Sequence, residues 1–91
     1  MTQLRRPFRS VVITLFTRPL CAMCAVVTHW LQELRVAYRE IDIAAVPEAR
    51  RIVRGLTRGE VSVPVLILED GRVLVEPARE TLLAALRQNA R

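Results

Sequence analysis

The chain has 91 residues, enough for one domain, and its 52% hydrophobic content favours a packed core over disorder. Its formal net charge of +5 comes from 14 arginines and nine acidic residues. The absence of lysine excludes a P-loop and Schiff-base chemistry, three glycines cannot form a dinucleotide-binding loop, and a single histidine excludes zinc motifs built on two.

Much of the positive charge lies at the start of the chain. Residues 1–10 contain Arg5, Arg6 and Arg9 and no acid, and removing these three leaves 11 arginines against nine acids, a net charge of +2. We therefore predict a flexible basic arm over residues 1–10 and a folded domain over residues 11–89.

The rest of the chain gives little indication of a nucleic-acid or membrane partner. The arginine cluster within residues 50–58 has no aromatic residues among its members on which bases could stack, which favours a solvated helix face. No stretch approaches the roughly 20 apolar residues of a membrane span, and no signal-peptide cleavage site follows the apolar run at residues 11–16. We expect a soluble, cytoplasmic and monomeric protein.

The spacing of apolar residues predicts four strands and three helices in the order β-α-β-α-β-β-α. The first strand is a continuous apolar run, typical of a central strand covered on both faces. The strands are predicted over residues 11–16, 36–43, 65–68 and 72–75. The helices are predicted over residues 22–34, from Pro47 to about Gly55, and from Pro77 onward.

These elements predict a three-layer α/β sandwich of thioredoxin type. The first two strands, joined through a helix, should be parallel, and the last two should form an antiparallel hairpin. Asp70-Gly71 between those two strands predicts a type I′ turn, in which both central residues have positive φ. Helices must cover both faces of this mixed four-stranded sheet, since its central strand has no polar face.

Cys21-Ala22-Met23-Cys24 lies between the first strand and the first helix. Residues three apart on a helix have Cβ atoms roughly 5–6 Å apart, near the range that a disulfide bridges. Cys21 would lie at the helix start, where unpaired N–H groups favour a thiolate, and Cys24 one turn deeper. This spacing predicts an attacking and a resolving cysteine; the alternatives are half of a zinc site or a chance pair, although zinc prefers four ligands.

Two further residues are candidates for this site. Arg18, three residues before Cys21, would favour the thiolate and attract an anionic thiol, or it is a solvated surface arginine. Pro64 precedes an apolar strand, where it is either a trans residue at the strand start or a cis residue facing the cysteines.

The segment from Thr17 to Cys24, then Ser62-Val63-Pro64 and Asp70-Gly71, together resemble the glutaredoxin family over residues 11–88. The mycoredoxin branch is the most similar, because Glu76-Pro77 echoes its pattern. The resemblance implies a cis bond between Val63 and Pro64 beside the active site, and a valine backbone that pairs with the substrate cysteine.

The resemblance also places Glu76 where the family holds a low-molecular-weight thiol. A carboxylate there would bind an ammonium group or repel a carboxylate. Two departures from the family pattern stand out: Ala22-Met23 replaces the Pro-Tyr or Gly-Tyr common between the cysteines, and Val75-Glu76 replaces the usual polar pair.

The sequence therefore predicts a thiol–disulfide oxidoreductase with Cys21 as nucleophile, Cys24 as resolving residue, and Arg18, Ser62, Val63, Pro64 and Glu76 around the substrate. Its substrates would be protein disulfides or mixed disulfides, and no bound cofactor is needed. Its reductant would be glutathione, mycothiol or a similar thiol, or a thioredoxin-type reductase. The alternatives are a dithiol donor to a reductase such as ribonucleotide reductase, an iron–sulfur or metal-binding redoxin, and a nucleic-acid-binding module that uses the basic arm.

Overall fold

The computed structural model describes residues 12–89, without the side chain of Asn89, so the predicted basic arm lies outside the described residues. The described part has four strands and three helices in the predicted order. They are β1 (Ile13–Thr17), α1 (Ala22–Glu33), β2 (Tyr38–Asp42), α2 (Pro47–Leu56), β3 (Val65–Ile67), β4 (Val73–Val75) and α3 (Arg79–Asn89). None of these three helices has the length and apolar character needed to cross a membrane.

The strands form one mixed sheet in the order β2-β1-β3-β4. β1 runs parallel to β2 and antiparallel to β3, and β3 and β4 form the antiparallel hairpin. Thr17, the last residue of β1, pairs with Asp42, the last residue of β2, while Phe16 pairs with Val65, the first residue of β3. The carboxyl end of β1 therefore has β2 on one side and the start of β3 on the other.

Both faces of β1 are buried, which explains its unbroken apolar sequence. Ile13 and Leu15 pack with residues of α1 and α3 on one face, and Phe16 packs with residues of α2 on the other. Burying one such side chain completely contributes about 1.5–3 kcal/mol. The α/β sandwich of thioredoxin type predicted from the sequence is confirmed.

The ends of two helices differ from the prediction. α2 continues through Gly55 and ends at Leu56, and it is Gly59, with φ +92°, that donates its N–H to the carbonyl of Arg54 at 2.8 Å. The left-handed backbone that favours glycine thus occurs beyond the helix, and Gly55 has no such role. α3 begins at Arg79, two residues after the proline that was predicted to open it.

The hairpin between β3 and β4 does not contain the predicted type I′ turn. Gly71 has φ +93°, but Asp70 has no positive φ. The Gly71 N–H donates to the carbonyl of Leu68 and the Leu68 N–H to that of Arg72, both at 2.9 Å, which closes a three-residue loop. The Asp70 carboxylate accepts hydrogen bonds from the backbone N–H of Arg72 at 3.1 Å and from its Nε at 2.8 Å.

Candidate active site

The two cysteines lie at the start of α1 and form a disulfide, with their Cα atoms 5.2 Å apart. Cys21 is the N-cap residue, with extended backbone angles, and its Sγ accepts a hydrogen bond from the backbone N–H of Cys24 at 3.1 Å. Polar side chains at this position satisfy one of the free N–H groups of the first turn. The predicted placement of the pair between the first strand and first helix is confirmed.

The surroundings of the two sulfur atoms differ. Cys24 is only 4% exposed and belongs to the core cluster beneath α2, whereas Cys21 is half-buried at its edge. The first turn of α1 contains no acidic residue, so no carboxylate there offsets the positive end of the helix dipole. In the reduced protein this arrangement favours a thiolate on the more accessible sulfur, that of Cys21.

We use the name β3 flank for four predicted site residues that lie just before β3 or just after β4: Ser62, Val63, Pro64 and Glu76. The peptide bond between Val63 and Pro64 is cis, as the family resemblance predicted, and both residues are buried. The backbone N–H of Glu76, a residue with φ +47°, donates to the carbonyl of Pro64 at 2.8 Å. Cys21 packs against the core cluster to which Val63 belongs.

The two cysteines also line a cavity of about 340 Å³ that sequence reasoning missed. We call it the β2 flank. Of the predicted site residues, Arg18 and the two cysteines line this cavity, and none of the four β3-flank residues does. Its other lining residues are Thr17, Leu20, Cys21, Cys24, Ala25, Thr28, His29, Gln32 and Glu40.

Two residues that line this cavity, the buried Thr17 and the exposed Glu40, form a hydrogen bond between neighbouring strands. The hydroxyl of Thr17, which is only 3% exposed, donates to Oε2 of Glu40 at 2.9 Å. Glu40 pairs with Leu15 in the β1–β2 register, and side chains paired in this way share one face of the sheet. The only indication of this contact in the sequence was that the apolar residues of β2 do not alternate regularly, so its two faces could not be assigned.

Two apolar side chains next to the cysteines are exposed. Leu20 is fully exposed and has φ +60°, a left-handed conformation that costs a leucine roughly 1–3 kcal/mol. Met23, between the cysteines, is 45% exposed. Both apolar side chains are therefore accessible to solvent next to the cysteines in the chain.

Within residues 12–89, no group of three or more histidine, cysteine, aspartate or glutamate side chains is arranged to hold a metal ion. On the exposed face of α1, Nε2 of His29 lies 3.2 Å from Oε2 of Glu33.

Comparisons with known proteins agree with this geometry. The Glutaredoxin family model matches residues 13–74. Candidate glutaredoxins of Mycobacterium tuberculosis strains CDC 1551 and H37Rv are each 29% identical to this chain over 77 residues, covering 85% of it and 92% of the relative.

Solved structures share the thioredoxin-like fold. The crystal structure of a mutant of the thioredoxin-like protein BC3987 has a TM-score of 0.73 at 28% identity, covering 82% of this chain and 94% of the other. The unmutated BC3987 structure has a TM-score of 0.64 at 27% identity, covering 85% and 97%.

Proposed function

This chain belongs to the glutaredoxin family of thiol–disulfide oxidoreductases, and we propose that it reduces mixed disulfides between proteins and a low-molecular-weight thiol, as well as protein disulfides. The observation that carries the proposal is the inequality of the two sulfur atoms. Cys21 is half-buried at the helix N-cap, where its thiolate is favoured, and Cys24 is almost completely buried behind it. Cys21 is the nucleophile in this proposal, and Cys24 is the resolving residue.

The reaction is two successive thiol–disulfide exchanges. The Cys21 thiolate attacks one sulfur of the substrate disulfide, so that a new S–S bond forms on Cys21 and the other substrate sulfur leaves as a thiolate. A second small thiol then attacks the sulfur of the small thiol bound to Cys21, which releases the Cys21 thiolate and a small-thiol disulfide. Alternatively, Cys24 attacks the Sγ of Cys21 and releases the bound group as a thiol. When Cys24 attacks, its proton goes to solvent, and the product is the Cys21–Cys24 disulfide that is reduced in the next cycle.

The β3 flank is the proposed site for the small thiol. The Val63 backbone would pair with the substrate cysteine next to Cys21, with Ser62 and Pro64 shaping the same wall. Glu76, which is hydrogen-bonded through its backbone to Pro64, would meet the charged end of the thiol. The glutaredoxin family generally uses glutathione-type thiols, and the resemblance of Glu76-Pro77 supports the mycoredoxin branch in particular.

The compartment and assembly follow from the same chemistry. A close cysteine pair that must return to the reduced state suits the reducing cytoplasm, which we propose as its location. Both sulfur atoms come from one chain, so a monomer suffices for the reaction.

The test is to assay Cys21→Ser and Cys24→Ser on a peptide–glutathione mixed disulfide and on a protein disulfide. Glutathione, mycothiol, bacillithiol and a thioredoxin-type reductase are offered in parallel as electron donors. Cys21→Ser should abolish every exchange. Cys24→Ser should retain reduction of the mixed disulfide, because an external thiol can resolve Cys21, and should lose most reduction of the protein disulfide.

Other outcomes would redirect the proposal. If Cys24→Ser were inactive and Cys21→Ser active, Cys24 would be the nucleophile and Cys21 the resolving residue. Reduction supported by the thioredoxin-type reductase alone would favour a dithiol donor to an enzyme such as ribonucleotide reductase. Exchange that neither substitution affects, together with visible absorbance of the purified protein, would favour an iron–sulfur protein instead.

A further inference from the structure

We propose that the cavity on the β2 flank is a specificity subsite for a lysine or arginine side chain of the protein substrate, with Glu40 as its recognition group. This inference rests on the proposed function and adds a preference among protein substrates. The order of the strands in the sheet is the first observation that supports it. β2, which contributes Glu40 to the cavity, and β3, which follows the Val63-Pro64 bond, lie on opposite sides of β1.

The hydrogen bonds made by residues that line the cavity indicate which charge a bound group should carry. The hydroxyl proton of Thr17 is donated to Glu40, and that of Thr28 to the carbonyl of Cys24 at 2.8 Å. Gln32 donates from Nε2 to the hydroxyl of Tyr38 at 3.0 Å. These groups retain acceptor atoms, chiefly Oε1 of Glu40, the side-chain carbonyl of Gln32 and a lone pair of Thr28. The complementary group is a hydrogen-bond donor with positive charge.

The pairing with Thr17 also fixes the acceptor. Because the Thr17 side chain is buried, its hydroxyl has a fixed position and holds Oε2 of Glu40 against the end of β1. The second carboxylate oxygen is thereby oriented without the loss of side-chain freedom that weakens most exposed ion pairs.

The size and walls of the cavity suit a single long side chain. Its volume of about 340 Å³ is near the lower end of ligand pockets, which span roughly 300–1,000 Å³. Leu20 and Ala25 contribute apolar wall, and the methylene groups of lysine and arginine pack on such surface while their charged end reaches a polar group. The fully exposed Leu20 also gives a protein substrate apolar area that a small thiol would leave uncovered.

Arg18 is the one lining residue whose side chain always carries a positive charge, and it opposes a bound cation. Arg18 and Glu40 are both exposed, so water and salt screen the charges of both and the preference for a cation is modest. Substitutions at the two residues should therefore have opposite effects. Neutralising Arg18 should strengthen the binding of a basic side chain, and neutralising Glu40 should weaken it.

The experiment uses a series of short peptides, each with one cysteine in a mixed disulfide with glutathione. Lysine or its uncharged isostere norleucine occupies successive positions on either side of the cysteine. For the wild type, kcat/KM should favour lysine over norleucine by about two- to fivefold at the best position, the range of a partly exposed ion pair. Glu40→Gln should abolish the preference and Arg18→Gln should increase it. Glu69→Gln, in the β3–β4 loop outside the cavity, is the matched control and should retain it.

Each outcome decides the inference separately from the proposed function. A wild type that reduces the peptides with no lysine preference at any position overturns the subsite and leaves the oxidoreductase activity standing. A preference that persists in Glu40→Gln, or that Arg18→Gln diminishes, also overturns it. A wild type that reduces none of the mixed disulfides contradicts the proposed function itself.

Discussion

The two flanks of the disulfide are built in different ways. On the β3 flank the specific features come from the backbone: a cis peptide bond between Val63 and Pro64, and a main-chain hydrogen bond from Glu76 to Pro64. On the β2 flank they come from side chains, with Thr17 and Glu40 brought together across neighbouring strands.

This difference has a functional meaning. A backbone-built wall presents the same groups whichever side chains occupy it, so it suits the part of the reaction common to all substrates, the pairing with the reacting sulfur. A wall built from side chains changes with each substitution, so it suits discrimination between substrates. The contrast predicts that substitutions on the β2 flank alter stability or preference, while exchange itself depends on the cysteines.

The largest effect on the β2 flank should come from Thr17→Val, which keeps the shape of a buried residue and removes its hydroxyl. Loss of the hydrogen bond to Glu40 should cost about 1–2 kcal/mol, because the acceptor is charged. Each kcal/mol corresponds to roughly 4–8 °C in Tm for a domain of this size, measured by thermal denaturation.

A double-mutant cycle isolates that hydrogen bond from other consequences of the substitution. In a Glu40→Ala background, Thr17→Val should cost much less than in the wild type. Equal costs in both backgrounds would show that the pair contributes nothing to stability and that Thr17 does not hold Glu40 in place.

The next effect distinguishes the carboxylates of the two flanks. The substrates are two small disulfides: cystamine, which carries ammonium groups, and dithiodipropionate, which carries carboxylates. The carboxylate of Glu76 should favour reduction of cystamine. Glu76→Gln should lower the ratio of their kcat/KM values by about two- to fivefold, and Glu40→Gln should lower it less. A larger effect of Glu40→Gln would place the small thiol on the β2 flank and erase the contrast.

The smallest effect is expected away from both flanks, at Asp70. The backbone N–H of Arg72, assisted by the Arg72 side chain, lowers the pKa of the Asp70 carboxyl below its ordinary value of 3.8. A carboxyl with a lowered folded-state pKa stabilises the protein above its unfolded-state value, and that stabilisation is lost as the pH falls through the folded-state value.

Asp70→Asn tests this with Tm measured against pH. The wild type should be slightly more stable than the variant at neutral pH, with a constant difference down to about pH 3.8. Below that value the difference should shrink. A difference that grows as the pH falls would contradict the assignment.

How much of this the sequence predicts depends on whether a feature is local. The cysteine pair lies within one helical turn, and Ser62-Val63-Pro64 is a contiguous motif, so the Cys21–Cys24 disulfide and the cis bond between Val63 and Pro64 were predictable from the sequence. Thr17 and Glu40 are 23 positions apart, and their contact depends on the pairing register of β1 and β2. No local pattern specifies that register, so the cavity was missed.

The type I′ turn predicted at Asp70-Gly71 was wrong for a similar reason. The dipeptide is compatible with more than one loop, and Arg72 contributes to the choice through contacts outside the dipeptide. Its guanidinium bonds the Asp70 carboxylate, the side chain of Gln88 and the carbonyl of Ala85, and the last two belong to α3. A contact between a loop and a distant helix cannot be inferred from the loop sequence alone.

The brevity of β4 has a consequence for the protein in concentrated solution. β4 is an outer strand of the sheet, and two of its three residues, Val73 and Val75, are exposed valines. A long outer strand of this composition would invite another chain to extend the sheet. Here the backbone bends away from the strand direction at Glu76, which has positive φ, and Pro77 lacks an N–H group. The strand therefore ends before it can serve as a template for aggregation.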